Sequence, residues 1–247
     1  VPGSITEPEQ YGESYYETDH KRWFEHPNIA LFKRIAAFIP PEASVLDVGC
    51  GRGDFLRFLR KTRRDLRLTG IDLSLNEDAE GIRFFRGDIF HSGIGGPFDV
   101  VVSLAVVEHV QDVTGFVARL RELTKPGGTV AAMTLNDSSL LYALARAGRS
   151  IGVPLAFNRL YSKHHLHHFT RRSLRVLFVR NGYSIRSAFD HNSPLQAVDI
   201  PVQGRLTDAV LRSGLWLLWR AGDVTRRRYL QTIVCRSPGN ATIATSQ

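Results

Sequence analysis

The chain has 247 residues, 43% of them hydrophobic, with a formal net charge of +8. That suits one α/β domain with additions and does not suit a disordered chain, and no apolar run approaches the length needed to span a bilayer. The positive charge invites a nucleic-acid partner, but the arginines are spread along the chain without a basic tail and lysine occurs only at positions 21, 33, 61, 125 and 163, so no nucleic acid is expected.

Residues 5–20 are polar and tyrosine-rich, with Tyr11, Tyr15 and Tyr16. Residues 21–39 predict one amphipathic helix ending before Pro40-Pro41. Residues 45–53 read V-L-D-V-G-C-G-R-G, which is a buried parallel strand, a tight turn and a helix start. Gly49, Gly51 and Gly53 carry no Cβ, so a ligand can lie against the backbone there. The spacing is not the dinucleotide G-x-G-x-x-G, because the third glycine comes one residue early. Asp54 at the helix start would also repel a pyrophosphate. Asp47, two residues before the first glycine, suits a ligand with an ammonium group.

Residues 66–74 form a second strand ending in Asp72, which is placed to accept hydrogen bonds from both hydroxyls of a ribose. Nine residues separate Asp72 from Ile82, where a parallel crossover normally takes a dozen or more. That sheet face is therefore expected to be thinly covered, with Ser74-Leu75-Asn76-Glu77 as a capping box for one turn and little more. A third strand over 82–90 leads through Gly87-Asp88-Ile89. A fourth, over 98–110, runs into Glu108-His109. Residues 112–123 predict a helix, followed by a Pro-Gly-Gly turn and a fifth strand up to Thr134. Thr170 predicts an N-cap for a helix through Arg180, stopped by Asn181-Gly182. Residues 183–188 and 229–236 predict the last two strands, and alternating strands and helices imply a parallel sheet.

Taken in order over roughly residues 40–190, these motifs resemble the class I S-adenosylmethionine-dependent methyltransferases. The resemblance implies a Rossmann-like, doubly wound α/β sheet, mostly parallel with an antiparallel last strand. It implies S-adenosyl-L-methionine as cofactor, held by Asp47, Gly49, Gly51 and Gly53, by Asp72 and Leu73 at the ribose, by Asp88 and Ile89 at the adenine, and by Ser103 and Leu104. It also implies that Tyr16 in the N-terminal segment closes over the cofactor, against the plainer reading of a solvated leader.

His109 follows the fourth strand, where ligands bind in such sheets, and imidazole suits proton transfer near neutral pH. It is the first candidate for a general base, with Glu108 to orient it; the alternative is that Glu108-His109 caps the next helix. The run His164-His165-Leu166-His167-His168-Phe169-Thr170 resembles the H-x-x-F-[ST] stretch of small-molecule members of the family. That makes His165 and His168 acceptor-pocket candidates and His168 a second catalytic candidate, with loop-to-helix hydrogen bonding as the alternative. No cysteine or acid lies near these histidines, and no metal is expected. Base-amino, cytosine-C5 and catechol-type subclasses are set aside: Ser103-Leu104-Ala105-Val106 stands where the first needs its proline motif, no Pro-Cys pair exists for the second, and Ser103 replaces the first acid of the third.

The expected organisation is an N-terminal helical cap over residues 1–40, a methyltransferase domain over 41–237 and a disordered tail over 238–247. Residues 191–228 form a helical insertion whose stretch 209–219, A-V-L-R-S-G-L-W-L-L-W, is apolar on nearly every face. It is read as a lid over an apolar acceptor, with a homodimer contact, an interfacial membrane anchor and ordinary core packing on the thinly covered sheet or the N-terminal helix as the alternatives. The expected activity is methyl transfer to O, N or C of a small organic acceptor in the cytoplasm. An RNA or protein methyltransferase and a non-catalytic cofactor binder are the alternatives.

Overall fold

The computed structural model describes residues 21–74, 79–161, 164–198 and 205–239. Tyr16 and residues 240–247 of the tail lie outside the described residues, as do residues 75–78. One sheet holds seven strands in the order β3-β2-β1-β4-β5-β7-β6. They are β1 (Ser44–Val48), β2 (Arg67–Asp72), β3 (Ile82–Arg86), β4 (Phe98–Leu104), β5 (Thr124–Leu135), β6 (Ser184–His191) and β7 (Leu230–Arg236). Strands β1 to β5 pair in parallel, and β7 runs antiparallel to β5 and β6 on either side of it. This is the doubly wound sheet with an antiparallel last strand that the sequence implies.

The central strands are short β-branched runs because both of their faces are covered. Val45, Val100 and Val102 face a core shared with α2 (Ile29–Ala36) and α3 (Asp54–Thr62). Leu46, Val101 and Val130 face the opposite core, shared with α4 (Val113–Glu122) and α7 (Arg171–Arg180). Each such fully buried side chain contributes about 1.5–3 kcal/mol. Asp112 caps α4 by accepting from the Gly115 amide at 2.8 Å, and Thr170 caps α7 in a reciprocal capping box with Ser173.

Residues 21–39 are not one helix. They form α1 (Lys21–Glu25) and α2, broken at Pro27, with Asn28 starting α2 by accepting from the Leu31 amide at 3.1 Å. Proline cannot continue a helix and asparagine is a favoured N-cap. The Pro-Gly-Gly turn is drawn into β5, where the β4–β5 register slips between Phe98 and Val100 to take up the extra residues. No helix appears among the described residues between β2 and β3. There Arg57 lies over the half-buried Phe84 ring at 5.8 Å, and Arg60 donates to the carbonyls of Leu66 and Gly81 at 2.8 and 2.5 Å. Two arginine stems from α3 thus cover this part of the sheet.

Between β5 and the histidine segment lie two helices with no counterpart among the expected elements, α5 (Leu140–Ser150) and α6 (Leu155–Leu160). The insertion after β6 contains a short 3-10 turn (Leu195–Ala197) and one long helix, α8 (Arg205–Val224).

Candidate active site

At the carboxyl end of β1 the chain turns back at Gly49, whose amide donates to the Ile71 carbonyl at 2.8 Å and ties the turn to β2. Gly49, Gly51 and Gly53 all have positive φ, at +70°, +52° and +76°. Two of them also lack room for a side chain. A Cβ on Gly49 would sit 2.3 Å from Val106 Cγ2, and one on Gly53 would sit 2.6 Å from the Phe84 ring. Only glycine meets both demands.

A cavity opens above this turn and crosses the ends of the central strands to the start of β7. Its β1–β2 side is walled by Asp47, Gly49, Gly51, Asp72, Leu73, Ile89 and Leu104. The Asp72 carboxylate is fixed there, accepting from the Gly51 amide at 2.8 Å and from the amide and hydroxyl of Ser74 at 2.8 and 2.6 Å. Asp47 is 2% exposed, and its Oδ1 is buried with no hydrogen-bond partner. Burial, followed by the nearby Asp72 and Asp54 charges, pushes its pKa up to about 8. A buried acid oxygen left without a donor calls for one from a ligand.

The β5–β7 side is apolar. It is formed by Leu135 from β5 and by Pro194 and Ala197 from the segment after β6, while Trp23, Phe24 and Phe32 of α1 and α2 also line the cavity, with the Phe32 ring 5.2 Å from Phe55 of α3. Between the two sides stand Glu108, His109 and His165. His109 Nδ1 lies 2.7 Å from the His164 carbonyl. A carbonyl only accepts, so Nδ1 carries the proton and the lone pair lies on Nε2. Burial lowers the His109 pKa, so the ring is neutral near pH 7. His165 is fixed in the same tautomer by the Leu160 carbonyl at 3.0 Å. Its ring is 5.0 Å from that of His109. Glu108 is fully buried and accepts from the Thr134 hydroxyl at 2.8 Å; burial raises its pKa.

The expected residues do not all meet here. Asp47, the glycines Gly49 and Gly51, Asp72, Leu73, Ile89, Leu104 and His109 line the cavity. Gly53 shapes the turn from behind it. Asp88 and Ser103 are not in the walls: Asp88 accepts from the Phe90 amide at 3.0 Å and steadies its own turn, and Ser103 Oγ is buried without a partner. His168 also stands behind the wall, its ring 4.4 Å from Tyr161 and 5.9 Å from Tyr142. The hydrogen bond that orients the His109 ring at Nδ1 is to the His164 carbonyl, and Glu108 is held by Thr134. The histidine segment runs beside the turn after β4, with the His167 amide donating to the Glu108 carbonyl at 3.1 Å. The aromatic wall from α1 and α2 went unread in the sequence, because its position depends on the break at Pro27.

A methyltransferase-domain family matches residues 20–188. The chain belongs to that family. This methyltransferase is 38% identical over 117 residues to the ubiquinone biosynthesis O-methyltransferase of Methylococcus capsulatus, an alignment covering 42% of this chain and 48% of the relative. It is 33% identical over 152 residues to the Nitrosococcus oceani protein of the same name, covering 56% and 61%. The chain thus spans about half the length of the curated relatives it matches. In fold it is similar to phosphoethanolamine N-methyltransferase 2 of Haemonchus contortus in complex with S-adenosyl-L-methionine, with a TM-score of 0.63 at 15% identity, over 95% of this chain and 61% of that one.

The family's cofactor is S-adenosyl-L-methionine, and the site fits it. The orphaned Asp47 oxygen answers an ammonium group, the Asp72 carboxylate answers vicinal hydroxyls, and the bare glycine turn admits the ligand against the backbone. When bound, the cofactor supplies an electrophilic methyl group on a good leaving group.

Proposed function

We propose that this methyltransferase methylates a small, partly apolar organic acceptor at a hydroxyl oxygen. The supporting observation is the placing of His109 between the cofactor side of the cavity and a wall of aromatic and aliphatic side chains. The relatives' printed name, O-methyltransferase, agrees with an oxygen acceptor.

In this reading the enzyme's work is positioning, dehydration and one proton transfer. Trp23, Phe24, Phe32 and Leu135 hold the acceptor and exclude water. The acceptor hydroxyl gives its proton to His109 Nε2. The His164 carbonyl holds the ring in the tautomer with a basic Nε2, and stabilises the imidazolium that forms. Glu108 is a buried acceptor beside this ring pair and orients a second polar group of the acceptor. Residues 193–197 are the roof of the acceptor side: Pro194 and Ala197 line the cavity, whereas no described side chain of α8 does. Asp88 and Ser103 support the cofactor side through the backbone, and His168 holds the wall behind His165.

The test is incubation of the purified chain with methyl-labelled cofactor and, separately, extracted metabolites and extracted RNA. Label in an organic-extractable small product is expected. Label confined to RNA would move the assignment to a nucleic-acid acceptor, and label in neither extract would favour a cofactor-binding protein.

A further inference from the structure

Helix α8 is held from one side. Trp219 is buried, stacks on Tyr229 with ring centroids 5.5 Å apart, and donates Nε1–H to the Ser193 carbonyl at 2.9 Å. Arg212 donates to the Leu195 carbonyl at 2.7 Å. On the opposite face Val210, Leu217 and Val224 recur every seven residues, forming one stripe along the helix. They are 62%, 61% and 85% exposed, and Trp216 on the flank is 46% exposed. A solvated helix face is ordinarily polar, so this stripe is out of place in water, and no described residue covers it.

The charge around the stripe is of one sign. Both acids of α8 are paired, Asp208 with Arg212 at 2.8 Å and Asp223 with Arg228 at 2.6 Å. Arg220, whose guanidinium lies 5.4 Å over the Trp216 ring, has no carboxylate partner among the described residues, and neither do Arg226 and Arg227 just past the helix. No described helix is long and apolar enough to cross a membrane. An apolar stripe rimmed by arginines, with tryptophan at the border, matches the chemistry of an acyl boundary under anionic headgroups.

We propose that α8 docks in the plane of an anionic lipid bilayer. The stripe enters the acyl boundary, and Arg220, Arg226 and Arg227 meet headgroup phosphates. The carbonyls of Ser193 and Leu195, which flank Pro194 of the cavity wall, accept from the face of α8 opposite the stripe, so docking places that wall one helix diameter, roughly 10 Å, from the acyl boundary. An acceptor that partitions into the lipid is then concentrated beside the cavity. This last consequence rests on the apolar-acceptor reading, whereas the docking does not.

The test is co-sedimentation of the full chain with phosphatidylcholine vesicles, with and without phosphatidylglycerol, in the absence of acceptor and cofactor. Binding to the anionic vesicles is expected, weakened by added salt and reduced at least tenfold in Leu217→Glu. Arg220→Glu, which leaves the apolar stripe intact, is also expected to weaken it and serves as the second variant should Leu217→Glu melt early. Failure of the unmodified chain to bind anionic vesicles would overturn the proposal, as would equal binding by both variants. A dimer in light scattering that Leu217→Glu splits, with no vesicle binding, would assign the stripe to a second copy instead. Because no acceptor is present, a negative result here leaves the metabolite-labelling result standing, and the reverse also holds.

Discussion

The Gly51 amide donates to Asp72 Oδ2 across 2.8 Å, joining the turn after β1 to the end of β2. One carboxylate therefore shapes the glycine turn and lines the cavity. Asp72→Ala is expected to lower cofactor affinity at least tenfold in calorimetry, since a charge-assisted hydrogen bond is worth about 1.5–3 kcal/mol. It is also expected to lower the melting temperature slightly, because the amides of Gly51 and Ser74 lose an acceptor. Unchanged affinity would remove Asp72 from the ribose site.

Asp47 links pH to both stability and binding. Its pKa of about 8 exceeds the unfolded value of 3.8, so between those values the folded state holds the extra proton. Stability of the cofactor-free protein is therefore fullest below the unfolded pKa and falls as pH rises towards 8. Asp47→Asn is expected to flatten this decline in thermal melts and to weaken cofactor binding. An ammonium group beside Asp47 favours its charged form, so binding near pH 7 is expected to release a proton. Calorimetry in buffers of different ionisation enthalpy would detect that release.

With His109 as the proposed general base, its titration is expected to set the acid limb of the rate profile. Burial holds its pKa below the ordinary imidazole value of 6.5, so the base stays deprotonated to lower pH than a solvated histidine. The rate of the unmodified enzyme is expected to fall on the acid side at lower pH than it would with a solvated imidazole base. His109→Gln is expected to cut kcat roughly a hundredfold or more while leaving cofactor affinity near its original value. A drop in affinity equal to the drop in kcat would make the residue a binding group instead.

Gly49→Ala combines two penalties. The φ of +70° disfavours any side chain, and the new methyl meets Val106 Cγ2 at 2.3 Å. A loss of roughly 2 kcal/mol or more is expected in denaturant midpoints. Adding Val106→Ala to Gly49→Ala should relieve the clash but not the backbone strain, so the double variant is expected to recover only part of the loss. Full recovery would mean that the backbone tolerates alanine there.

The cofactor side was legible because its chemistry is local. Asp47 and the glycines lie within one strand-turn-helix, and Asp72 ends the next strand, so spacing alone places them. The acceptor side is assembled from distant segments. Nothing near Glu108 in sequence announces that its carboxyl meets the Thr134 hydroxyl, and His165 enters the cavity only because residues 164–167 lie beside the turn after β4. His168 and Asp88 belong to the right segments, but their side chains turn to neighbours within their own layer. Pro27 and Asn28 were a readable stop and start inside residues 21–39, and heeding them would have located the aromatic wall. Helices α5 and α6 gave a weak signal because Gly148, Gly152 and Pro154 interrupt a short apolar pattern.

The arginine-covered link between β2 and β3 has a consequence for how the sheet opens. β3 is an edge strand hydrogen-bonded to β2 alone, whereas β1 is paired on both sides. Its amides are therefore expected to exchange with solvent through a local opening far cheaper than global unfolding, ahead of those in β1 and β4. The same edge is stitched to the ligand cavity, since the Gly87 amide donates to the Asp72 carbonyl at 2.8 Å and Ile89 lines the wall. Cofactor binding should therefore slow exchange in β3 more than in the sheet centre, making this edge strand a reporter of whether the cofactor cavity is filled.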